Sequence, residues 1–497
     1  MKRKIISNLS DINFLKQDII LCHGVFDLFH VGHLNYLEEA KKLKGKLLVS
    51  ITADKFVNKG PDRPYFNHFM RAKILSGLEI VDYVYINFDE TPINLIKIIK
   101  PKYYCKGKDY ENKSDDITKN IFLEEKEVKK NNGKLKIINT ELQSSSSLLN
   151  NYFIEFTDEQ KKIIDKCKKY SPEIKNIFQG FKNKKACIIG EIIFDEYIFC
   201  HPENLSTKSP TVSSRFINKE IYLGGALAIA RSLKELGLKV DLLTYCKDKE
   251  KKSIINNKEE NIKIDICNLN TDCPTPKKTR FIDKSANQKM FEIFDINSQA
   301  MRKIKKIKLI NKLKSFREKY DIIYIADFGH GLLDDEIINL INKFPEKVFV
   351  NAQTNSENYG YNLITKYKNM EYFSIDKREA QLALGKKIDD IQLLYEEISK
   401  KVKSNNFSIT LGKEGSISKF GKARLIKCPA FFDKIIDATG SGDLFFTISS
   451  LLVQQNINPY LIAFISNIYA GLHTKVQGNS SVVNEIQLTK FIATLLK

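Results

Sequence analysis

His23-Gly24-Val25-Phe26-Asp27-Leu28-Phe29-His30-Val31-Gly32-His33 follows the apolar run Asp18-Ile19-Ile20-Leu21-Cys22 and leads into a helix-like stretch over 33–42. The run is a short buried strand stopped by His23-Gly24, and a second strand follows at 46–52. Strand, glycine-bearing turn, helix and strand make a βαβ unit. The alternation continues outward with a helix over 67–78, a strand at 83–86, a helix at 92–99 and a strand at 103–106. This order predicts a parallel sheet covered on both faces. After a strand at 135–138, the run Ser144-Ser145-Ser146-Ser147-Leu148 places hydroxyls ahead of apolar residues, as at a helix N-terminus.

The first domain is therefore expected to span 1–155. Residues 156–183 are Lys-rich and helical in pattern, broken by Ser171-Pro172, and read as a linker. A fresh strand at 186–190 opens a second alternating region over 184–497, with further strands at 239–244, 322–326, 347–350, 371–375 and 407–411. The expected class is α/β, with two doubly wound parallel-sheet domains.

Composition narrows the function classes. The chain of 497 residues is 42% hydrophobic and 28% charged, which excludes disordered and fibrous proteins. No stretch approaches the ~18 uninterrupted apolar residues of a membrane helix, and Met1-Lys2-Arg3-Lys4 is followed by polar residues rather than a secretory core. The cytoplasm is the expected compartment. Nine cysteines are scattered without a Cys-x-x-Cys pair, so reduced, buried thiols are expected rather than zinc or disulfides. The net charge of +20 is spread along the whole length and suits the steering of small anions more than a nucleic-acid arm.

Spacing of three puts His30 and His33 on one side of the turn that enters the first helix. Gly32 lets a phosphate approach the backbone where the helix dipole favours negative charge. The arrangement suits a nucleoside triphosphate. A structural loop histidine and a metal pair are the other two readings. No third His, Cys or carboxylate cluster follows at ligand spacing, and the turn lacks the G-x-G-x-x-G of dinucleotide sites.

Over residues 18–152 the chain resembles the HxGH nucleotidyltransferases of the cytidylyltransferase-like group, which includes heptose-1-phosphate adenylyltransferase and glycerol-3-phosphate cytidylyltransferase. The likeness rests on His30-Val31-Gly32-His33, Asn58-Lys59-Gly60-Pro61-Asp62-Arg63-Pro64, Arg71, Lys106-Gly107-Lys108-Asp109-Tyr110 and the serine run. It implies a Rossmann-like fold and in-line attack of a substrate phosphate on the α-phosphorus of a nucleoside triphosphate. Pyrophosphate leaves, and Mg²⁺ shares the charge. By this resemblance His30 and His33 are catalytic donors. Gly24, Phe26, Asp27, Gly32, Lys59, Arg63, Lys106, Gly107, Ser145, Ser146 and Ser147 hold the nucleotide. Asp27 reads equally as a loop cap, and Lys59 also as a surface lysine.

Near the C-terminus, Asp437-Ala438-Thr439-Gly440-Ser441-Gly442-Asp443 precedes the apolar helix start Leu444-Phe445-Phe446. Glycines ahead of a helix leave N–H groups for an anion, and a carboxylate there can take a proton from an attacking hydroxyl. A Gly-rich turn with Asp as a cap is the plainer alternative. Over about 184–490 the chain resembles the ribokinase-like carbohydrate kinases of the PfkB family. It matches through Gly190-Glu191 with Asp195, Gly224-Gly225, Lys278, Arg280, Asp376-Lys377-Arg378-Glu379 and Thr410-Leu411-Gly412-Lys413-Glu414-Gly415. The resemblance makes Asp443 the catalytic base, with Gly440 and Gly442 cradling the transferred phosphoryl and Glu379 and Asp376 placing Mg²⁺. Thr410, Gly412 and Gly415 line the ATP site, and Asp195, Gly224, Gly225, Lys278 and Arg280 bind the sugar. His330, just after a strand, reads as a substrate contact or as a structural loop histidine.

Three positions depart from the family. Ala228 stands where an Asn contacts the sugar, Asn351-Ala352-Gln353-Thr354-Asn355 replaces an Asp-Pro-Lys-like stretch, and Asp376 replaces an Asn. The pair of domains resembles the bifunctional heptose kinase and adenylyltransferase that makes ADP-heptose for surface polysaccharide, with the order reversed. The implied function is nucleotidyl transfer to a sugar phosphate such as heptose 1-phosphate, coupled to an ATP-dependent sugar kinase. ATP is the expected nucleotide and CTP the alternative. The rival within enzymes is a CTP-dependent transferase making a CDP-polyol, its kinase domain reduced to ligand sensing. The rival of another class is a metabolite-sensing or nucleic-acid-binding regulator. The expected partners are a sugar phosphate and a nucleoside triphosphate, with no nucleic acid and no membrane. A homodimer is left open.

Overall fold

The computed structural model describes all residues except 1–3, 7–17, 58–62, 112–119, 140–155, 248–249, 251–253, 255–261, 267–273, 303–305, 315–318, 344–346, 433 and 497. Two compact units result: Met1–Thr157 together with Thr489–Lys497, and Asp158–Leu488. Among the described residues, seven cysteines are buried outside any disulfide, and no helix is long and apolar enough to cross a membrane.

In the first unit, β1 (Ile5–Ile6), β2 (Ile19–Gly24), β3 (Lys46–Thr52), β4 (Tyr83–Asn87), β5 (Tyr103–Gly107) and β6 (Lys134–Ile138) form one sheet. The order is β1-β4-β3-β2-β5-β6, and every pair is parallel. Helices α1 (Val31–Lys41), α2 (His68–Ser76), α3 (Ile93–Ile99) and α4 (Asn120–Lys130) lie between successive strands in the chain. β2 is apolar on both faces because both are covered: Ile20 and Cys22 pack with Leu37 and Ala72, while Ile19 and Leu21 pack with Leu95 and Val128. The chain runs from β2 to β3 and β4 on one side and returns to β5 on the other. The C-terminal ends of β2 and β5 therefore flank a switch point, the usual ligand crevice of such sheets.

One buried side chain on α2 fixes the loops around that crevice. Arg71 donates from Nε to Phe66 O at 2.9 Å, from Nη1 to Val25 O at 2.5 Å, and from Nη2 to Thr52 O at 2.8 Å and Asp54 Oδ1 at 2.6 Å. The turn after β2, the end of β3 and the approach to α2 are thereby held together.

The second unit contains β7 (Lys185–Gly190), β8 (Ile192–Leu205), β9 (Val212–Gly225), β10 (Lys239–Thr244), β11 (Ile262–Ile266), β12 (Lys277–Asp283), β13 (Gln288–Asp295), β14 (Ile322–Asp327), β15 (Val348–Ala352), β16 (Tyr372–Asp376), β17 (Asn406–Thr410), β18 (Ser416–Phe420) and β19 (Ile426–Cys428). Nine of these form a sheet in the order β11-β10-β7-β14-β15-β16-β17-β18-β19, parallel as far as β17 and antiparallel beyond it. The other four form a separate sheet, β13-β12-β8-β9.

The parallel strands β7, β10, β14, β15, β16 and β17 match the sequence expectation, whereas β11, the antiparallel β18 and β19 and the small sheet were not anticipated. The outer strands of the small sheet, β9 and β13, are exposed along most of their length, so they lack the apolar runs that mark buried strands. The helix α5 (Asp158–Lys168), in the segment expected to be a linker, lies within the second unit. It buries Ile163, Ile164 and Cys167, and Gln160 Nε2 donates to Ala430 O at 2.6 Å.

Replacing Arg71 with Met keeps the bulk but strands three backbone carbonyls and Asp54. A loss of about 3–5 kcal/mol is expected, seen by circular dichroism as an earlier urea transition of the full-length chain. A wild-type midpoint would show that Arg71 does not hold these loops.

Candidate functional site

Each unit brings a cluster of polar side chains to the C-terminal edge of its parallel sheet. In the first unit, α1 begins with a reciprocal cap: His30 Nδ1 accepts from the Gly32 N–H at 3.0 Å, and the His30 N–H donates to His33 Nδ1 at 3.4 Å. A neutral imidazole whose Nδ1 accepts carries its proton on Nε2. Partial burial lowers the His30 pKa, which favours that neutral ring. The two rings lie with centroids 4.0 Å apart, so the helix start presents two Nε2–H donors side by side, held in place by the cap.

The loop before them is tightly shaped. Phe26 and Leu28 both adopt positive φ, 51° and 45°, on either side of Asp27, which is 4% exposed. Asp27 accepts from the Tyr65 N–H at 3.0 Å and the Phe66 N–H at 3.1 Å, joining the β2 loop to the approach of α2. Both carboxylate oxygens thus accept from backbone N–H groups of the approach to α2. Arg63 lies near Asp27, and burial lowers its pKa. Among the described residues its Nε and Nη2 are buried without a hydrogen-bond partner, as expected of a cation that meets an anionic ligand.

Lys106 is turned inward. It pairs with Glu124 at 3.1 Å and lies over the rings of Tyr104 and Tyr110. Burial works against its charge, yet Tyr104 and Glu124 hold its pKa well above the ordinary lysine range. Gly107, at the end of β5, has open space where a Cβ would stand, so here the backbone is more accessible than the lysine. Gly24 closes β2, and Gly32 lies in the first turn of α1. Lys59, Ser145, Ser146 and Ser147 lie outside the described residues.

In the second unit the small sheet and the large one contribute different halves of a site. β8 and β12 pair in parallel with Asp195 opposite Lys278 and Tyr197 opposite Arg280. Arg280 pairs with Asp195, and its Nε lies 3.4 Å from Glu292 Oε2. Burial lowers the pKa of Lys278, with Asp195 and Asp443 among the charges acting on it. From the large sheet comes α6 (Ser441–Gln454), whose first turn carries Asp443. Burial pushes the Asp443 carboxyl up to about 7, with Gln353 and Lys278 opposing. Gln353 Nε2 donates to Asp443 Oδ1 and, at 2.8 Å, to Asn351 Oδ1. The departing Asn351–Asn355 stretch therefore supplies the hydrogen bond that orients the proposed base.

Gly440, at the cap of α6, has φ 81°, and a Cβ there would sit 3.3 Å from His473 Nε2. Gly442 has nothing within 4 Å of the same position. A Cβ on Gly224 would strike Asp195 Oδ2 at 2.3 Å, so a side chain there would displace that carboxylate. Gly225 follows it and caps the helix Ala226–Glu235. Thr410 ends β17 in register with Asp376. Gly412 has open space around it, whereas Gly415 packs against Cys428 O.

Asp376 and Glu379 cap the helix Lys377–Leu384 reciprocally: the Glu379 N–H donates to Asp376 Oδ1 at 2.7 Å and the Asp376 N–H to Glu379 Oε2 at 2.8 Å. Burial, and then Asp376, pushes Glu379 up to about 8. His330 is fully buried, 3.6 Å from Glu357 Oε2. Its loop is fastened by Phe328 and Leu332 N–H groups donating to Glu191. The structure thus gathers Asp195, Gly224, Lys278, Arg280 and Asp443, and it seals His330 from solvent.

Asp437 carried no role in the sequence reading beyond opening its motif. Its carboxylate accepts from Tyr197 Oη at 2.6 Å, the Gly478 N–H at 3.0 Å, and both the N–H and hydroxyl of Thr439 at 3.0 and 2.8 Å. Lys289 lies 3.3 Å away. Burial opposes the charge, but these donors hold the carboxyl at about 2. Only its place as the first acidic residue of a glycine loop signalled it.

Residues 183–452, more than half of the chain, match the pfkB family of carbohydrate kinases. Residues 21–162 match the cytidylyltransferase-like family. The curated relatives include the bifunctional protein HldE of a Nitratiruptor species, 39% identical over 132 residues, or 24% of this chain and 29% of that one. HldE of Aliarcobacter butzleri is 47% identical over 122 residues, or 24% and 25%. The chain thus spans less than a third of the length of these relatives. Among solved structures, phosphofructokinase-2 from Escherichia coli in complex with substrates and products superposes with a TM-score of 0.51. The two are 13% identical, and the match covers 63% of this chain and all of that one. At that identity the likeness shows the fold alone.

The two aspartates give opposite pH signatures. Asp443 titrates near 7 in the fold against an ordinary 3.8, so its contribution to stability is fullest at low pH and is lost as pH rises through about 7. Asp437, lowered to about 2, contributes fully above its ordinary 3.8 and loses that contribution as pH falls toward 2. Asp443→Asn is therefore expected to raise Tm over wild type by a few degrees at pH 8 and by less at pH 5, at roughly 2–4 °C per kcal/mol. Asp437→Asn is expected to lower Tm at both. An Asp443→Asn gain equal at the two pH values in thermal melts would contradict a carboxyl titrating near neutrality.

Proposed function

Because the chain belongs to the pfkB family of carbohydrate kinases and carries a cytidylyltransferase-like domain ahead of that part, we propose that it is a bifunctional enzyme making a nucleotide-activated sugar in the cytoplasm. The observation that supports this most is the presence, in one chain, of two helix starts with different polar groups: paired imidazoles at α1 and a buried carboxyl at α6. Residues 1–155 form the nucleotidyltransferase, 156–183 a helical connecting segment and 184–497 the kinase.

In the kinase half, a sugar hydroxyl attacks the γ-phosphorus of ATP and gives its proton to Asp443. The bond from the γ-phosphorus to the bridging oxygen breaks, and ADP leaves. A base titrating near 7 suits this task at neutral pH. The N–H groups around Gly440 and Gly442 receive the transferred phosphoryl, and Lys278 offsets the charge beside Asp443.

In the transferase half, a phosphate oxygen of the sugar phosphate attacks the α-phosphorus of the nucleoside triphosphate, and the bond to the β-phosphate bridge breaks, releasing pyrophosphate. The Nε2–H groups of His30 and His33 donate to the phosphate oxygens as charge grows, and Arg63 meets the anion from the opposite loop. ATP is the proposed nucleotide, and a heptose phosphate the proposed acceptor class.

Mg²⁺ neutralises phosphate charge in reactions of this kind. Among the described residues no group of three or more His, Cys, Asp or Glu side chains is placed to hold a metal ion. Asp376 and Glu379 bring two carboxylates to the start of the helix Lys377–Leu384, oxygen donors of the kind this ion takes beside phosphates. Glu379 and Asp376 would hold it, and an ion there would keep Glu379 ionised against the burial that raises its pKa.

The test is two assays on the full-length protein: pyrophosphate release with ATP or CTP and sugar 1-phosphates, and ADP release with ATP and a panel of sugars and sugar phosphates. His33→Ala is expected to slow pyrophosphate release by about 10²–10³ and to spare ADP release. Asp443→Asn is expected to do the reverse. Equal loss of both activities from either substitution would sink the assignment of two independent centres.

A further inference from the structure

The kinase site lacks one expected group. Ala228 presents only a buried methyl, so the position at which the family resemblance places a sugar-contacting amide has no donor. An amide is available from a different element.

Asn479 follows the helix Pro459–His473 and is 7% exposed. A Cβ on Gly224 would lie 3.1 Å from Asn479 Nδ2 and 2.3 Å from Asp195 Oδ2. A Cβ on Gly440 would lie 3.1 Å from Asn479 Oδ1. The side chain therefore reaches from the diglycine turn to the glycine loop ahead of Asp443, with its N–H end beside the Asp195 carboxylate.

The turn that carries it is anchored, because the neighbouring Gly478 N–H donates to Asp437 at 3.0 Å. Among the described residues, the Asn479 amide makes no hydrogen bond of its own, although Arg231 reaches its backbone carbonyl at 3.4 Å. An amide without a protein partner at this junction of two glycine turns is available to hydrogen-bond a ligand hydroxyl.

We propose that Asn479 is a substrate-positioning residue of the kinase half, donating through Nδ2 to one hydroxyl oxygen of the sugar acceptor while an adjacent hydroxyl donates to Asp195. It replaces, from the opposite side of the pocket, the amide that Ala228 does not supply. This rests on the kinase reading above. A site built around a hydroxyl contact discriminates against an analogue lacking that hydroxyl, because the protein group is then left without a partner.

The experiment measures ADP release by the full-length protein with mannose 6-phosphate, fructose 6-phosphate and sedoheptulose 7-phosphate. The fastest of these is then compared with its monodeoxy analogues. Asn479→Ala is expected to raise KM for the sugar about tenfold, to leave KM for ATP within about twofold, and to erase the wild-type preference for the parent sugar over one deoxy analogue. Asn479→Ser, which keeps a short donor, is expected to fall between them.

Unchanged sugar KM and unchanged deoxy discrimination in Asn479→Ala, with Asp195→Asn impaired, would overturn the inference and leave the kinase reading standing. Lowered Tm and weakened ATP binding in both Asn479 variants would also overturn it, by assigning a structural role. A wild-type protein that phosphorylates none of the three sugars would remove the kinase reading itself, and Asn479 with it.

Discussion

The Asp437 carboxylate ties together three separate pieces of chain. It receives Tyr197 from the small sheet, the Gly478 N–H from the turn that carries Asn479, and both donors of Thr439 from the glycine loop. A buried anion is costly without donors, so each element is held where its donor reaches the same group. The fold thereby sets the distance between strands that carry Asp195, Lys278 and Arg280 and the helix start that carries Asp443.

Arg71 plays the corresponding part in the first unit with the opposite charge. Its guanidinium has donors in a fixed fork, and it directs four of its contacts to acceptors from separate loops. The His30 and His33 rings are then oriented locally by their own helix cap. In both units, polar side chains sit at the start of a helix, where the dipole favours negative charge. One ionic side chain on another element brings the surrounding loops to them.

The order of strands and helices was legible because buried parallel strands are apolar on both faces. Ile19 to Cys22 and the strands β7, β10, β14, β15, β16 and β17 of the large sheet therefore stand out against lysine-rich helices. The HxGH stretch and the Asp437–Asp443 loop were also legible, since each joins glycines to chemically specific residues at a strand or loop end. The small sheet was not, because β9 and β13 are mostly exposed and their sequence lacks a buried strand's signature. The inward turn of Lys106 toward Glu124, the complete burial of His330 and the use of Asp27 by backbone N–H groups follow from packing between distant segments. No local pattern encodes them.

The sequence alone determined the two parallel α/β cores and the two helix starts with their His30, His33 and Asp443, since periodicity, glycine placement and helix capping act within a few residues. Only the tertiary structure decided which groups face those starts: Gln353 on Asp443, Arg63 near Asp27, and Asn479 between Gly224 and Gly440. Such neighbours lie tens to hundreds of residues apart in the chain. They are brought together by the burial of apolar strands and by the need of each buried charge for partners, constraints that exist only once the whole chain has folded.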